Sequence, residues 1–446
     1  MNGPRLPTDI TPDLEGKTML RKPLACMLSL VLLAVAGGAV AQELGNLPPK
    51  QDYRGEIRRG PDGKLMVLPE AELATAQDPG RAAGQVTMLV GAGERIRTVS
   101  EAARLARDGE VIEIRPGTYR GQPAIWNQNN LTIRGAAGER PVMLADGRSA
   151  EDKAIWVVRG GKVRIENIEF RGARVRDSNG AGIRFEKGQL TVHGCRFVDN
   201  EMGILTGNLA EQSLEVSDSE FGDAPRHPGG LHHLLYVGPI GKFVLRGSRF
   251  YNGYLGHLVK SRARESHVLY NMLVDGRGGK ASYELEFPNG GLVSVIGNAI
   301  GQSAGTDNST IVAYGAEGPR WPDNALYLSH NTLVNDHFAG DFLNVWADKF
   351  PGGIDIWQLN NLLVGKGNFY PPARGRVEGN QTTERADLIE YGGIPLRPTS
   401  LSPLRGAVRP PGSVRGVELL PDAEFIYPVG SRPLRVSSAL APGAFQ

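Results

Sequence analysis

The chain has 446 residues, 59 of them glycine, with 7% aromatics and a formal net charge of +2. That length allows a large core, and the glycine content leans toward a turn-rich β architecture rather than helices. The small net charge and the lack of long Lys/Arg tracts exclude a global field that would recruit nucleic acid, so attraction for an acidic partner must be local.

Arg21 and Lys22 precede an apolar run from Leu24 to Val40, which closes on Ala39, Val40 and Ala41 ahead of Gln42. The pattern predicts a secretory signal peptide over residues 1–41, cleaved after Ala41. The run is short for a membrane span, so no integral membrane segment is expected after processing. A periplasmic or secreted bacterial protein follows. Cys26 lies inside the run, and its removal leaves Cys195 as the one cysteine. No intramolecular disulfide can then form, and stability must come from packing.

Residues 42–85 are rich in Pro, Gly and charge and are expected to be an irregular leader. Ser100, followed by an Ala-rich amphipathic run, predicts a short capped helix. Glu110 to Tyr119 alternates like a strand and ends on the Pro116-Gly117 turn.

One phrase then recurs: two alternating apolar positions, a turn residue, and a closing apolar side chain. It runs from Val163 to Phe170, Leu190 to Phe197, Leu214 to Phe221 and Phe243 to Phe250. It continues from Ser266 to Leu273, Val293 to Ile300, Leu326 to Leu333 and Ile356 to Leu363. Closing residues are 23 to 33 positions apart, a period that marks a solenoid whose repeats bury their faces on one another. The two-residue alternation makes the repeated elements strands. In the last four repeats the sixth position is Asn271, Asn298, Asn331 and Asn361. Asparagine tolerates the left-handed conformation at a bend and can bond to backbone there, so a stacked amide ladder is expected. Cys195 holds the same position earlier, which predicts a buried, inert thiol.

With its helix ahead of the Gly109–Tyr119 stretch and its coil phrases at 130–135 and 360–364, the chain resembles the right-handed parallel β-helix proteins of the pectate-lyase superfamily over about residues 96–370. The resemblance implies an all-β fold: a right-handed parallel β-helix over 86–370 with a short N-terminal capping helix. The Pro-rich tail, 371–446, is expected to pack on and close the solenoid.

Each coil carries a second strand after the phrase. If Leu235, Leu258, Leu285 and Ile311 point inward, then Tyr236, His257, Glu284, Glu286 and Val312 share an exposed face, with Lys260 and Arg262 at its rim. His233 lies near them, and the face suits an acidic carbohydrate. The sequence Gly256 to Ala263, "GHLVKSRA", resembles the strand of chondroitinase-B-like and alginate lyases that carries a Lys-Ser pair. That resemblance implies Lys260 as the Brønsted base that takes the C5 proton of a uronic acid. A free lysine is a poor base at neutral pH, so Arg262 and Arg264 would have to lower its pKa. Arg262 or Arg277 would offset the charge building on the substrate carboxylate. Tyr236 and His233 are candidate proton donors to the glycosidic oxygen, and Tyr314, Trp346 and Trp357 candidate stacking surfaces.

The acidic calcium ligands that those lyases carry ahead of the lysine are absent, since Gly253, Leu255 and His257 stand there. Glu284 and Glu286, with Asn289 nearby, are the candidate replacements, so calcium is retained as a possible cofactor. An ion pair with Lys260 or Lys280 fits those carboxylates equally well, and without a metal His257 and Arg262 would do the neutralising. Adjacent His232 and His233 send their side chains to opposite faces, which argues against zinc. No organic cofactor is expected.

The reading is an exported polysaccharide lyase that cleaves a uronic-acid-containing polysaccharide by β-elimination, acting as a monomer. The alternatives are a uronate C5-epimerase, a glycoside hydrolase built on Glu284 and Glu286, and a non-catalytic envelope protein that binds acidic glycans.

Overall fold

An eight-residue phrase that alternates, bends and closes on one more apolar residue can bury both halves only if the chain turns a corner inside it. The computed structural model describes residues 84–446 except 228–229, 277, 392–393 and 435–438, and before them the backbone of the strands Gly55–Arg59 and Leu65–Pro69. The signal-peptide segment and most of the leader lie outside the described residues. The two early strands pair in a sheet of their own, within a separate N-terminal unit. They fall inside the stretch expected to be irregular. Strand-length runs, the second wholly apolar, flank a Pro-Asp-Gly sequence at 61–63, residue types common in turns.

The main body is a parallel β-solenoid with three sheets of 12, 11 and 10 strands among the described residues, in which, after the first strand, every third strand of the chain joins the same sheet. The first sheet runs from Met88–Val90 to Gly375–Glu378, the second from Thr118–Arg120 to Gln381–Thr383, and the third from Ala124–Trp126 to Asn368–Phe369. The expected boundary at residue 370 therefore falls inside the last coil. Each repeated phrase spans two sheets: Lys162–Glu166 belongs to the first and Glu169–Arg171 to the second.

Register repeats residue for residue. Phe170, Phe197, Phe221 and Phe250 are partners on successive strands, and their rings stack at 5.1, 4.6 and 4.6 Å. Each such ring, fully removed from water, stabilises the coil by roughly 1.5–3 kcal/mol. The helix Val99–Leu105 buries Val99, Ala102 and Ala103 in the same core. Its N-cap is Thr98 rather than Ser100: the Thr98 hydroxyl accepts the Glu101 N–H, while Ser100 donates to Pro123 O.

At the corner between the first two sheets the bend and the ladder occupy separate residues. Positive φ belongs to the position ahead of each ladder residue: Tyr270 at 55°, Gly297 at 66°, His330 at 51° and Asn360 at 56°. The asparagines themselves chain together. The backbone N–H of Asn271 donates to Asn298 Oδ1 at 2.9 Å, that of Asn298 to Asn331 at 3.0 Å, and that of Asn331 to Asn361 at 3.0 Å. Serines extend the chain backward, through Ser248 and Ser219, to the Cys195 N–H. Burial pushes the Cys195 thiol up to about 12, so it is an un-ionised packing residue.

After Thr383 the chain returns along the outside of the first two sheets. Phe425 and Phe445 pack on Met272, Val334 and Leu362, and Leu419 and Ala423 pack on Tyr270 and Leu359. The Ala444 N–H donates to Thr332 Oγ1 at 3.0 Å. None of the tail's described hydrogen bonds reaches Tyr236, Lys260 or Arg262, which all lie on or just past the third sheet.

Candidate functional site

Third-sheet strands in the middle of the solenoid are three residues long, so each presents one central side chain outward. Register lines up Arg184, Leu205, Tyr236, Lys260, Glu286, Ala313 and Asn344 on successive strands. Their flanking residues Leu235, Val237, Val259, Ser261, Leu285 and Phe287 are fully buried. Tyr236, Lys260 and Glu286 thus share one face, at neighbouring rungs.

Glu284 does not join them. It is completely buried, and neither carboxyl oxygen has a hydrogen-bond partner among the described residues. The reason is the corner ahead of the strand. Leu234 and Leu235, then Leu258 and Val259, are consecutive and all in the core, so strict alternation fails one residue before each strand. The same effect turns Val312 inward, where it pairs with Leu285 and Leu343. Burial, and secondarily the Asp275 charge, hold the Glu284 carboxyl well above its usual range.

Around Lys260 the charges interlock. Its ammonium stands 3.0 Å from Glu286 Oε2 and 3.7 Å from Glu317 Oε1. His257 Nε2 approaches the same Glu286 oxygen at 2.9 Å. The Tyr283 N–H donates to His257 Nδ1 at 3.2 Å, and the His257 N–H to His233 Nδ1 at 2.9 Å. Each Nδ1 is therefore an acceptor, which puts each ring proton on Nε2. Burial holds both imidazoles below the usual histidine range, with the Glu286 contact offsetting part of this for His257. For Glu286, burial alone would raise the carboxyl; the close approach of His257 and Lys260 prevails and holds it below the ordinary range.

Arg262 follows the Lys260 strand by one residue. Its Nε donates to Tyr236 Oη at 2.8 Å, its Nη1 donates to Asn289 Oδ1, and its two terminal nitrogens grip Glu317 at 2.5 and 2.7 Å. The Trp321 indole donates to the Arg262 carbonyl at 3.0 Å. Arg262, Asn289 and Glu317 lie one, two and three residues past the ends of consecutive third-sheet strands. Glu317 was not foreseen from the sequence. Its signal was the repeated strand-end position, 55 residues from Arg262, and no local motif marks it.

Other expected site residues sit elsewhere. Tyr314 is a core side chain whose hydroxyl donates to Gly291 O at 2.8 Å, so it offers no stacking surface. Trp346 is half-buried one coil further on, and no hydrogen bond or ring contact joins it to the Lys260 network among the described residues. Trp357 is on the first sheet, edge-on to Tyr327. Arg264 is exposed at the corner before Glu265–Leu269 and makes no ion pair among the described residues. Lys260 is flanked by carboxylates, pairing with Glu286 as one of the expected alternatives had it, while Arg262, expected to lower its pKa, is itself committed to Glu317. Arg277 lies outside the described residues.

The candidate calcium ligands do not converge. Glu284 is sealed in the core, and Glu286 is already bound by Lys260 and His257. Among the described residues no group of three or more His, Cys, Asp or Glu is placed to hold a metal ion. The same separation dissolves the Glu284–Glu286 pair considered for hydrolysis. A cleft lined by Phe342, Lys366, Thr383, Glu384, Asp387 and Leu401 lies away from this face and contains none of the network residues. No helix among the described residues is long and apolar enough to cross a membrane.

No protein family matches the chain by sequence, and no curated protein does either. Solved structures do resemble it, two polysaccharide-degrading lyases among them. Pectate lyase Pel9A aligns with a TM-score of 0.53 and 14% identity, covering 81% of this chain and 97% of its own. A PL6 family polysaccharide lyase from Pseudopedobacter saltans aligns with a TM-score of 0.39 and 13% identity, covering 72% of this chain and 98% of its own. Parallel register and the Pel9A alignment together show the fold: a parallel β-solenoid similar to that of pectate lyase Pel9A.

Proposed function

We propose that the outward face of the third sheet is the active site of an exported lyase that cleaves an acidic, uronate-containing polysaccharide. The observation that carries this reading is the two-pronged grip of Arg262 on the half-exposed Glu317 carboxylate, with the Lys260 ammonium 3.7 Å from that same group. Two cations thus already hold a carboxylate at the surface, and one of them also donates to a phenol. A uronate is a sugar that carries such a group beside the carbon to be deprotonated. The scaffold it shares with pectate lyase Pel9A is compatible with this chemistry, and the Arg21-to-Ala41 segment supports export.

In this reading a uronate carboxylate takes the place of Glu317 on Arg262, which offsets the charge that builds as C5 loses its proton. To take that proton, the Lys260 ammonium must first release one of its own to solvent, against the pull of Glu286 3.0 Å away. The C4–O4 bond breaks as the C4–C5 double bond forms, and Tyr236 Oη gives its proton to the departing oxygen. The hydrogen bond from Arg262 Nε then favours the negative charge left on the tyrosine. His257 and Glu286 hold Lys260 in place.

The test is a panel of alginate, pectate, hyaluronan and glucuronan assayed with the native protein and Lys260→Ala. At least one polymer is expected to give the ultraviolet absorbance of an unsaturated uronate, falling by about 10²–10⁴-fold in the variant. Reducing ends without that absorbance, or full turnover by Lys260→Ala, would refute the assignment.

A further inference from the structure

Every cation in the Lys260 network is ion-paired, but the same row carries one that has no ion pair among the described residues and feels Glu186 only at longer range. Arg184 lies two rungs from Tyr236 and three from Lys260, about 10 and 14 Å along the axis at roughly 4.8 Å a rung. Its neighbours on the row, Val157 and Leu205, are buried in an apolar cluster with Ala181 and Met202, against which Tyr236 also packs. Arg184 Nε is shut off from water without an acceptor, and no hydrogen bond or ion pair joins the guanidinium to another described residue. The carboxylate nearest in sequence, Glu186, is already held by Lys153 at 2.8 Å and Arg159 at 2.7 Å.

An arginine set in apolar surroundings without a partner is costly, because the lost hydration is not replaced. Burial accordingly draws Arg184 below the ordinary arginine range. The terminal nitrogens are not shut off in this way, and an anion arriving from outside can accept two parallel hydrogen bonds from them.

We propose that Arg184 is a second carboxylate-binding position of this face, which holds a uronate of the same glycan chain as the residue at Lys260. The inference rests on the reading of this face as a polyuronate site. It narrows the substrate to polymers charged at more than one sugar, since a single monosaccharide cannot span the three rungs. Arg184 acts in binding and stands clear of the reacting atoms.

The experiment compares the full chain with Arg184→Gln, Arg184→Lys and Lys260→Ala on the polyuronate that the native protein turns over best. Retardation in polymer-containing gels, steady-state kinetics and thermal unfolding are read together. Arg184→Gln is expected to weaken polymer binding and raise KM by about tenfold or more, the effect of losing one charge-assisted contact. Its kcat should stay within about twofold, because the contact is made equally in ground and transition states. Arg184→Lys should recover part of the loss. The melting temperature of Arg184→Gln should equal or exceed that of the native protein, whereas a structural arginine would lower it. Unchanged retardation and KM in Arg184→Gln, while Lys260→Ala has lost turnover, would overturn the Arg184 assignment and leave the proposed lyase standing. A native protein that neither cleaves nor is retarded by any polyuronate would overturn both.

Discussion

Glu286 lies one rung beyond Lys260 on the third sheet, and its Oε2 stands 3.0 Å from the Lys260 ammonium. His257, from the corner before the Lys260 strand, reaches the same oxygen at 2.9 Å. One buried carboxylate thereby orients two groups of the candidate site, and the solenoid register sets its position.

Glu286→Gln should therefore lower stability by about 3 kcal/mol, as expected when one partner of a buried ion pair is removed. The native Glu286 carboxyl is held below its usual 4.5. A depressed carboxyl stabilises the fold above that value and loses its contribution as pH falls through the folded-state pKa. Urea unfolding from neutral to acid pH should show the difference between native protein and variant shrinking on acidification.

Glu317→Ala tests the carboxylate-grip idea from the other side. Glu317 is about half exposed, so its loss should cost under about 1 kcal/mol of stability. It frees Arg262, and acidic polymers should bind about two- to tenfold more tightly, a gain of the size expected from removing an exposed competing pair. Gel retardation at low and high salt checks this, and weaker binding would count against Arg262 as the carboxylate site.

Glu284 has the opposite electrostatics. Burial raises both it and Asp275, the latter up to about 6. Raised carboxyls stabilise the fold most below their unfolded pKa and lose that contribution as pH rises through the folded value. Glu284→Leu would continue the apolar positions of Leu234, Leu258 and Ile311. The variant should gain roughly 1–3 kcal/mol at about pH 8 and less at about pH 5, read from urea midpoints.

The amide ladder makes a purely structural prediction. Asn298→Ala strips the acceptor from the Asn271 N–H and side-chain amide, leaving buried donors unpaired. A loss of about 1–3 kcal/mol is expected in denaturant unfolding. Asn298→Ser should lose less, since Ser219 and Ser248 already fill equivalent rungs.

The solenoid was legible in the chain because its information is local and repeated. Phe170, Phe197, Phe221 and Phe250 mark one position of each coil, and stacking identical residues in register makes the period itself the structural signal. The outward turn of Tyr236 and Glu286 followed from alternation, but Lys260 was expected at the rim, and the register sets it in their row. Glu284 was not legible, because alternation counts correctly within a strand but not through the corner ahead of it. The left-handed residues Tyr270, Gly297 and His330 were displaced by one for a related reason: a bend and the hydrogen bond that braces it fall on adjacent residues.

By itself, then, the sequence determined the coil period, the parallel β architecture and the side chains that each coil offers, since these follow from spacing along the chain. Only the tertiary structure decided which charges are paired. Glu317 meets Arg262 across 55 residues, and Arg184 makes no hydrogen bond or ion pair among the described residues while Lys153 and Arg159 take Glu186. Ion pairing depends on distances of a few ångströms between loops of different coils, and neither composition nor periodicity encodes those distances.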